Sequence, residues 1–453
     1  MKIDYSDKKV VVIGAGRSGI ALVHYFLERG ATVALSDMRE RKQIAGLEGL
    51  TELPIRLDLG GHNLELFAQA DLIAVSPGVP LSCEPLRRAS SCGIPLLGEI
   101  ELAAREIGVP IIGVTGTNGK STTTSLIGKI MADWGRHVFV GGNLGTPLIE
   151  ACSSDIDGVV VELSSFQLET IDQFHPSIAL LLNLSSDHLD RYPDLQNYYA
   201  AKLEIFRNMT AADFVVLNAD DPEVCRLTPE LKATKVWFSA KGRMVDGLVR
   251  LGDRLVWNWA GADIQLPLAE LKLSGEHNIE NAMAAMIPAL LQGCPAELAW
   301  KAVCSFRGLQ HRMQLVRHLN GVDWYNDSKG TNVGSVMKSL AGFSSAVTLI
   351  AGGKDKGGDY TLLRPQLEQK VDCLILIGEA AQKMATVLSG SCEIRIAADL
   401  KAAVQQAYIA TKAGGTVLLS PACSSFDMFP NYQVRGEEFE RLVKELPAQG
   451  VTP

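Results

Sequence analysis

The sequence has no C-x-x-C pair, no surplus of positive charge and no long apolar run, and each absence closes off a class of function. Its nine cysteines are scattered, which argues against a zinc ribbon and against a disulfide framework. An odd cysteine count with no secretory signal suits a reducing cytoplasm. The amino terminus, "MKIDYSDKKVVVIGAGRSG", carries only a short apolar run, which enters a glycine turn rather than a cleavage site. No stretch approaches the roughly 20 apolar residues of a membrane helix. The net charge of -8 argues against a nucleic-acid partner, although a local basic pocket can still take an anion. There is no low-complexity linker and no short-period repeat. We expect a soluble cytoplasmic protein that acts as a monomer, without membrane insertion.

What is present is a regular alternation. Short apolar, β-branched runs ("KVVVIGA", "TVALSD", "LIAVSPG", "PIIGVTG", "GVVVELSS", "IALLLNL", "FVVLNAD", "AVTLIAGG", "CLILIGE", "TVLLSPA") alternate with helix-like stretches such as "IALVHYFLERG" and "STTTSLIGKIMADWG". That order predicts α/β architecture with parallel sheets covered on both faces. The ligands of such sheets sit beyond the carboxyl ends of the strands. With 453 residues the chain is too long for one ordinary core. Three domains are expected: 1–95, 96–306 and 307–453. The first and last are Rossmann-like. The middle one is a P-loop ATPase-like parallel sheet with a small β-rich insert at "FSAKGRMVDGLVRLGDRLVWNWAGADIQLPLAEL", where Gly-Asp and Asp-Gly turns separate short segments.

Two glycine loops carry the chemistry. "VVVIGAGRSGIAL" places Gly14, Gly16 and Gly19 between a strand and a helix, with Asp37 ending the next strand. Backbone N–H groups at that helix start can hold a diphosphate, and the acid can take a ribose or base donor. The bare motif leaves NAD, another nucleotide, or a ligand-free tight turn open. "GVTGTNGKSTTT" is the second loop. A standard phosphate loop reads G-x-x-x-x-G-K-[ST], so its first glycine should stand at Val114, yet Gly113 is one place too early. Even so, Gly116 and Gly119 let backbone approach phosphate, Lys120 can bridge its oxygens, and Ser121 or Thr122 can reach Mg²⁺. Mg²⁺ also needs a hard carboxylate oxygen. Glu162 ends the apolar strand in "GVVVELSS". Asp187, His188 and Asp190 follow another strand; His188 is either a ligand or a packed polar residue. Lys202, in "NYYAAKLEIF", would ordinarily be a surface lysine.

Taken together, "GVTGTNGKSTTT", "VELSSFQLE", "NLSSDHLDRY", "YYAAKLEIF", "GEHNIENAMAA", "GLQHRMQLV", "YNDSKGTNVGS", "AGGKDKGGDY" and "LLSPACSSFDMFPNYQVRGEEF" resemble, in order, the motifs of the Mur ligases. These are ATP-dependent amide-forming enzymes of peptidoglycan precursor synthesis, and "TGTNGKST" is their own spelling of the phosphate loop. The resemblance implies ATP held by Gly116, Thr117, Asn118, Gly119, Lys120, Ser121 and Thr122, with Asn278 and Asp327 at adenine or ribose and Arg312 at phosphate. It implies two Mg²⁺ ions, one on Ser121 and Glu162, the other served by His188 and Lys202. The matching lysine in the family is carboxylated. A carbamate forms on the neutral amine, which burial favours.

The same resemblance turns the first loop into a uridine-diphosphate site. Gly16, Arg17, Ser18, Asp37, Arg39, Ser76, Pro77 and Gly78 would line it, and Asn143 and His188 would meet the sugar-peptide part. It implies D-glutamate as the amino acid, held by Thr331, Lys356, Ser425 and Tyr432, and UDP-N-acetylmuramoyl-L-alanine as the substrate to which it is joined. "GGKDKGG" leaves Lys354 as an alternative to Lys356. Two other readings stand beside this one: an NAD-dependent dehydrogenase using the first loop, which leaves "TGTNGKST" unexplained, and a nucleotide-binding regulator without catalysis.

Overall fold

The computed structural model describes residues 3–44, 47–143, 145–189, 191–273, 275–343 and 346–448. Three sheets follow one another along the chain. The first contains β1 (Lys9–Ile13), β2 (Thr32–Asp37), β3 (Arg56–Leu59), β4 (Leu72–Val75) and β5 (Leu96–Gly98), in the order β3-β2-β1-β4-β5. All its pairings are parallel. Val11, Ile13, Ala34, Ile73 and Val75 leave one face of it to pack on Phe67 and Leu86. The order reverses beside β1, which is where a doubly wound sheet opens a crevice.

The second sheet has nine strands. They are β6 (Ile111–Thr115), β7 (Val138–Gly142), β8 (Gly158–Glu162), β9 (Ile178–Leu181), β10 (Phe214–Asn218), β11 (Thr234–Ser239), β12 (Gly247–Leu251), β13 (Arg254–Asn258) and β14 (Ile264–Pro267). The order is β14-β13-β12-β11-β10-β9-β6-β8-β7. The expected β-rich insert is there, but it is not a separate module. β12, β13 and β14 run antiparallel to one another and extend the edge of the parallel sheet through β11. Backbone hydrogen bonding explains this: the open edge of β11 is covered by the insert instead of by solvent.

The third sheet holds β15 (Gln314–Leu319), β16 (Val322–Asn326), β17 (Val347–Gly352), β18 (Val371–Ile377), β19 (Glu393–Ile396) and β20 (Thr416–Leu419), ordered β15-β16-β20-β17-β18-β19. Only β15 is antiparallel. The chain gathers into two compact units. One comprises 1–184, 196–270 and 280–304, and the other 185–195, 271–279 and 305–453. All nine cysteines are free, and no described helix is long and apolar enough to cross a membrane.

Candidate functional site

In the first unit, β1 ends in a turn that needs glycine. A Cβ on Gly19 would lie 1.9 Å from Gly14 O, so the helix α1 (Arg17–Leu27) can start this close to the strand only without one. Gly16 precedes that helix, and Arg17 and Ser18 form its first turn. Ser76 Oγ donates to Gly14 O at 2.8 Å, and Ser76 through Val79 make a turn that carries Pro77 and Gly78. Asp37 is buried and its carboxylate is fully engaged. Oδ2 accepts from Ala15 N (2.7 Å) and Arg39 Nη2 (2.8 Å), and Oδ1 from Arg39 N (2.8 Å) and Nε (3.0 Å). Burial pushes this carboxyl up, but the Arg39 bonds and the Ala15 amide outweigh it and hold it below its ordinary range. A ribose hydroxyl would have to replace one of these donors, because a carboxylate offers about four lone-pair sites. Arg17 Nη1 reaches Gly145 O at 2.7 Å.

The second loop runs from β6 into α2 (Lys120–Asp133). Gly119 takes φ 87°, and a Cβ there would meet Asn281 Oδ1 at 2.3 Å. Asn183, the second residue after β9, ties the loop down. Thr117 N donates to its backbone oxygen, Asn118 N to its Oδ1 (2.8 Å), and its Nδ2 to Asn118 O (2.9 Å). Ser121 and Thr122 are buried at the helix start. Lys120 Nζ lies on the loop's own carbonyls, 2.8 Å from Gly116 O and 2.9 Å from Thr117 O.

Lys202 is no surface residue. It is 1% exposed, on the helix α3 (Leu195–Leu203). Its Nζ donates to Gly116 O at 2.9 Å and stands 4.6 Å from the centroid of the Tyr198 ring. One carbonyl oxygen thus accepts from both Lys120 and Lys202, and two cations so close repel. Glu162, also 1% exposed, ends β8, and its Oε1 accepts from Asn143 Nδ2 at 2.6 Å. Among the described residues no three His, Cys, Asp or Glu side chains form a metal cluster. Mg²⁺ takes one or two carboxylates and completes its shell with phosphate and water. The Ser121 hydroxyl and the Glu162 carboxylate are hard oxygens of the kind it needs.

The second unit holds the remaining candidates. His188, at a left-handed φ of 55°, follows Asp187, which is 8% exposed at its side chain. Asp187 Oδ1 accepts from Lys356 Nζ at 2.7 Å and Oδ2 from Asn332 Nδ2 at 2.9 Å. Burial pushes the Asp187 carboxyl up, but the Lys356 and His188 charges more than reverse this and leave it well below the usual carboxylate range. Lys354 is exposed and pairs through its backbone with Ser424, whereas Lys356 is mostly buried. Asp190 lies outside the described residues.

Asp327 closes β16. Its buried Oδ2 accepts from Ser339 and Ser420, both at 2.7 Å. Burial raises its pKa despite these bonds and the nearby Arg312. Asn278 lies in the first turn of the helix α4 (Glu276–Leu291). Thr331 closes a turn on Lys329 O, and Ser425 is 2% exposed. Tyr432 opens the helix α5 (Tyr432–Glu445), with Lys329 Nζ 4.1 Å from its ring centroid.

Asn183, Asn281, Tyr198 and Asp187 position these groups without having been singled out for that task. So does Arg435, which is fully buried and donates to Ser328 O, Ser328 Oγ, Cys423 O and Ser424 O. A signal existed for Asn183: a polar residue just after an apolar strand, at a sheet's ligand edge.

Three family models match the chain. They are a Mur ligase MurD-like N-terminal domain over 8–98, a Mur ligase middle domain over 114–289 and a Mur ligase glutamate ligase domain over 311–423. The chain is 55% identical over 448 residues to a UDP-N-acetylmuramoylalanine–D-glutamate ligase of Syntrophotalea carbinolica, covering 99% of this chain and 100% of the relative. It is 49% identical to one of Geotalea uraniireducens, covering 97% and 98%. Among solved structures, a pseudomurein peptide ligase type C from Methanothermus fervidus superposes with a TM-score of 0.63 at 19% identity, over 97% of this chain and 100% of that one. A MurF ligase from Thermotoga maritima in complex with ADP gives 0.61 at 17%, over 97% and 96%. At these identities the structures speak for the fold.

Proposed function

We propose, from the premise that this chain belongs to the Mur ligase family, that it joins D-glutamate to UDP-N-acetylmuramoyl-L-alanine at the expense of ATP. The observation that carries the substrate choice is full-length identity of 55% to a relative so named. The terminal carboxylate of the UDP substrate attacks the γ-phosphorus of ATP, releasing ADP and leaving an acyl phosphate. The amine of D-glutamate then attacks the acyl carbon, and phosphate departs with the oxygen that had attacked.

The roles follow the family resemblance. Residues 1–95 take the uridine diphosphate through the amides after β1 and through Arg39, which Asp37 aims. Residues 96–306 take ATP. Lys120 exchanges the loop carbonyls of Gly116 and Thr117 for phosphate oxygens. Ser121 and Glu162 would hold Mg²⁺, which when bound screens the repulsion between carboxylate and triphosphate. Lys202 serves as a carbamate: the change removes one of two cations crowding Gly116 O and still leaves an N–H to donate to it. His188 would serve Mg²⁺ as well. Residues 307–453 bring Arg312 to phosphate, Asp327 to the nucleoside, and Lys356, Thr331, Ser425 and Tyr432 to D-glutamate; Asn278, from the middle block, also serves the nucleoside.

The rival within the family adds a different amino acid. An ADP-release assay with ATP, the UDP substrate and each amino acid in turn separates the two. Release that needs both the UDP substrate and D-glutamate is expected. Release with L-alanine or a diamino acid in its place would reassign the chain, and release with none would make it a hydrolase.

A further inference from the structure

A small polar chain lies on β2 and β3, next to the strand that leads into the first glycine loop. Ser36 and Asp58 are opposite one another across β2 and β3, so their side chains leave the same face of the sheet. Ser36 is fully buried. Its Oγ is 2.7 Å from Asp58 Oδ2 and 2.7 Å from His62 Nδ1. A hydroxyl has one proton and a carboxylate only accepts. Ser36 therefore donates to Asp58, and His62 Nδ1 must donate to Ser36. Burial holds the imidazole below its ordinary pKa, against the pull of Asp58 and Asp37, so the ring is neutral. The tautomer is then fixed: Nδ1 carries the proton and Nε2 presents a bare lone pair. The Phe67 ring, edge-on at 5.7 Å, sets the plane of the imidazole. Nε2 makes no hydrogen bond among the described residues.

Its place matters. Gly60 N and Gly61 N both donate to Asp37 O, folding the loop that carries His62 back onto the end of β2. Arg39 stands on the same strand end. Asp37 holds its Nε and Nη2, while Nη1 has no hydrogen bond among the described residues on a side chain 49% exposed. One fixed acceptor and one fixed donor thus share the carboxyl edge of β2 and β3.

We infer that His62 reads the base of the uridine nucleotide: its Nε2 accepts the N3–H of uracil while Arg39 Nη1 donates to a uracil carbonyl. This rests on the reading of the first loop as the uridine-diphosphate site. Cytosine has a lone pair at N3 and an amino group in place of O4, so it sets lone pair against lone pair and donor against donor. A site built to pair a polar group rejects the analogue that leaves it unpaired.

The test is calorimetric titration of the full chain with UDP and with CDP. Wild type is expected to prefer UDP by roughly tenfold or more, and His62→Leu to lose most of that preference by weakening UDP while CDP stays within about twofold. Ser36→Ala frees the tautomer and is expected to lose part of the preference; it keeps the test open should His62→Leu fail to fold. An undiminished preference for UDP in folded His62→Leu, or in Ser36→Ala if His62→Leu does not fold, overturns the inference and leaves the site reading intact. If neither diphosphate binds wild type, the site reading fails and the inference with it.

Discussion

At Lys202 two accounts of one side chain lead to opposite experiments. An exposed lysine replaced by alanine changes stability within about 0.5 kcal/mol and leaves activity alone. Lys202 is buried and donates to the loop carbonyl that Lys120 also uses. As a carbamate it is an anionic oxygen ligand borrowed from CO₂. Lys202→Ala is therefore expected to lose activity by orders of magnitude, and a short carboxylic acid such as acetate to restore part of it. An anion cannot replace an ordinary ammonium, so full activity in the mutant, or loss with no rescue, would count against the carbamate. ADP release with and without acetate reads the difference.

Lys356 makes a second prediction at this scale. Its Nζ neutralises Asp187, and both side chains are largely buried. Removing one partner of such a pair costs about 3 kcal/mol or more, because the other charge is left uncompensated. Lys356→Ala should thus lower the melting temperature and raise the KM for D-glutamate. Lys354→Ala, at an exposed position, should do neither. The spacing in "GGKDKGG" could not separate the two lysines; Lys356 is the one buried against Asp187, and the two KM values decide between them.

Among elements, the junction after β5 gives a pH prediction. The short helix Glu99–Ala104 begins with a carboxyl that is buried. Its Oε1 accepts from Ile149 N at 2.6 Å, and Oε2 has no hydrogen-bond partner among the described residues. Burial pushes Glu99 up to about 7, against the Ile149 and Leu148 amides that pull it down. An acid raised on folding stays protonated in the native state while the unfolded chain has already released its proton. Its contribution is complete below the ordinary value of 4.5 and is lost as pH rises toward 7. The loss is on the order of 3 kcal/mol. Glu99→Gln keeps an acceptor for Ile149 and cannot titrate. Wild type should lose more thermal stability than Glu99→Gln between about pH 5 and about pH 8. Equal slopes would place Glu99 elsewhere.

The elements also show which patterns a sequence carries. The ten apolar runs all became strands, because strands buried on both faces read as continuous hydrophobic stretches. β3, β5, β7, β15 and β19 went unread. All are edge strands or next to an edge, and "RLDL" and "EIRI" are half exposed with charges between the apolar positions. β16, "VDWYN", and β11, "TKVWFS", also went unread; both are internal, but buried positions are interrupted by half-buried or exposed ones, so neither shows a run.

For the whole molecule, the candidate site was legible where the proposed chemistry demands a residue type: glycine in a strand-to-helix loop, lysine and hydroxyls at the helix start, a carboxylate at a strand end. It was not legible where a residue acts through another. Asn183 pins the second loop by three bonds, Arg435 gathers carbonyls from two loops, and Asp37 spends its carboxylate on Ala15 and Arg39. Such roles depend on which side chains meet in space, and spacing along the chain does not encode that.

In the proposed reaction this chain activates a carboxylate with ATP and passes it to an amine. The most direct measurement follows oxygen. With ¹⁸O in both positions of the terminal carboxylate of UDP-N-acetylmuramoyl-L-alanine, the attacking oxygen leaves with phosphate and the other stays in the amide. Mass spectrometry of a reaction containing ATP and D-glutamate should find one ¹⁸O in each released phosphate and one in each product amide. Unlabelled phosphate beside a doubly labelled carboxylate would mean that ATP is cleaved by water without carboxylate activation, and would contradict the account.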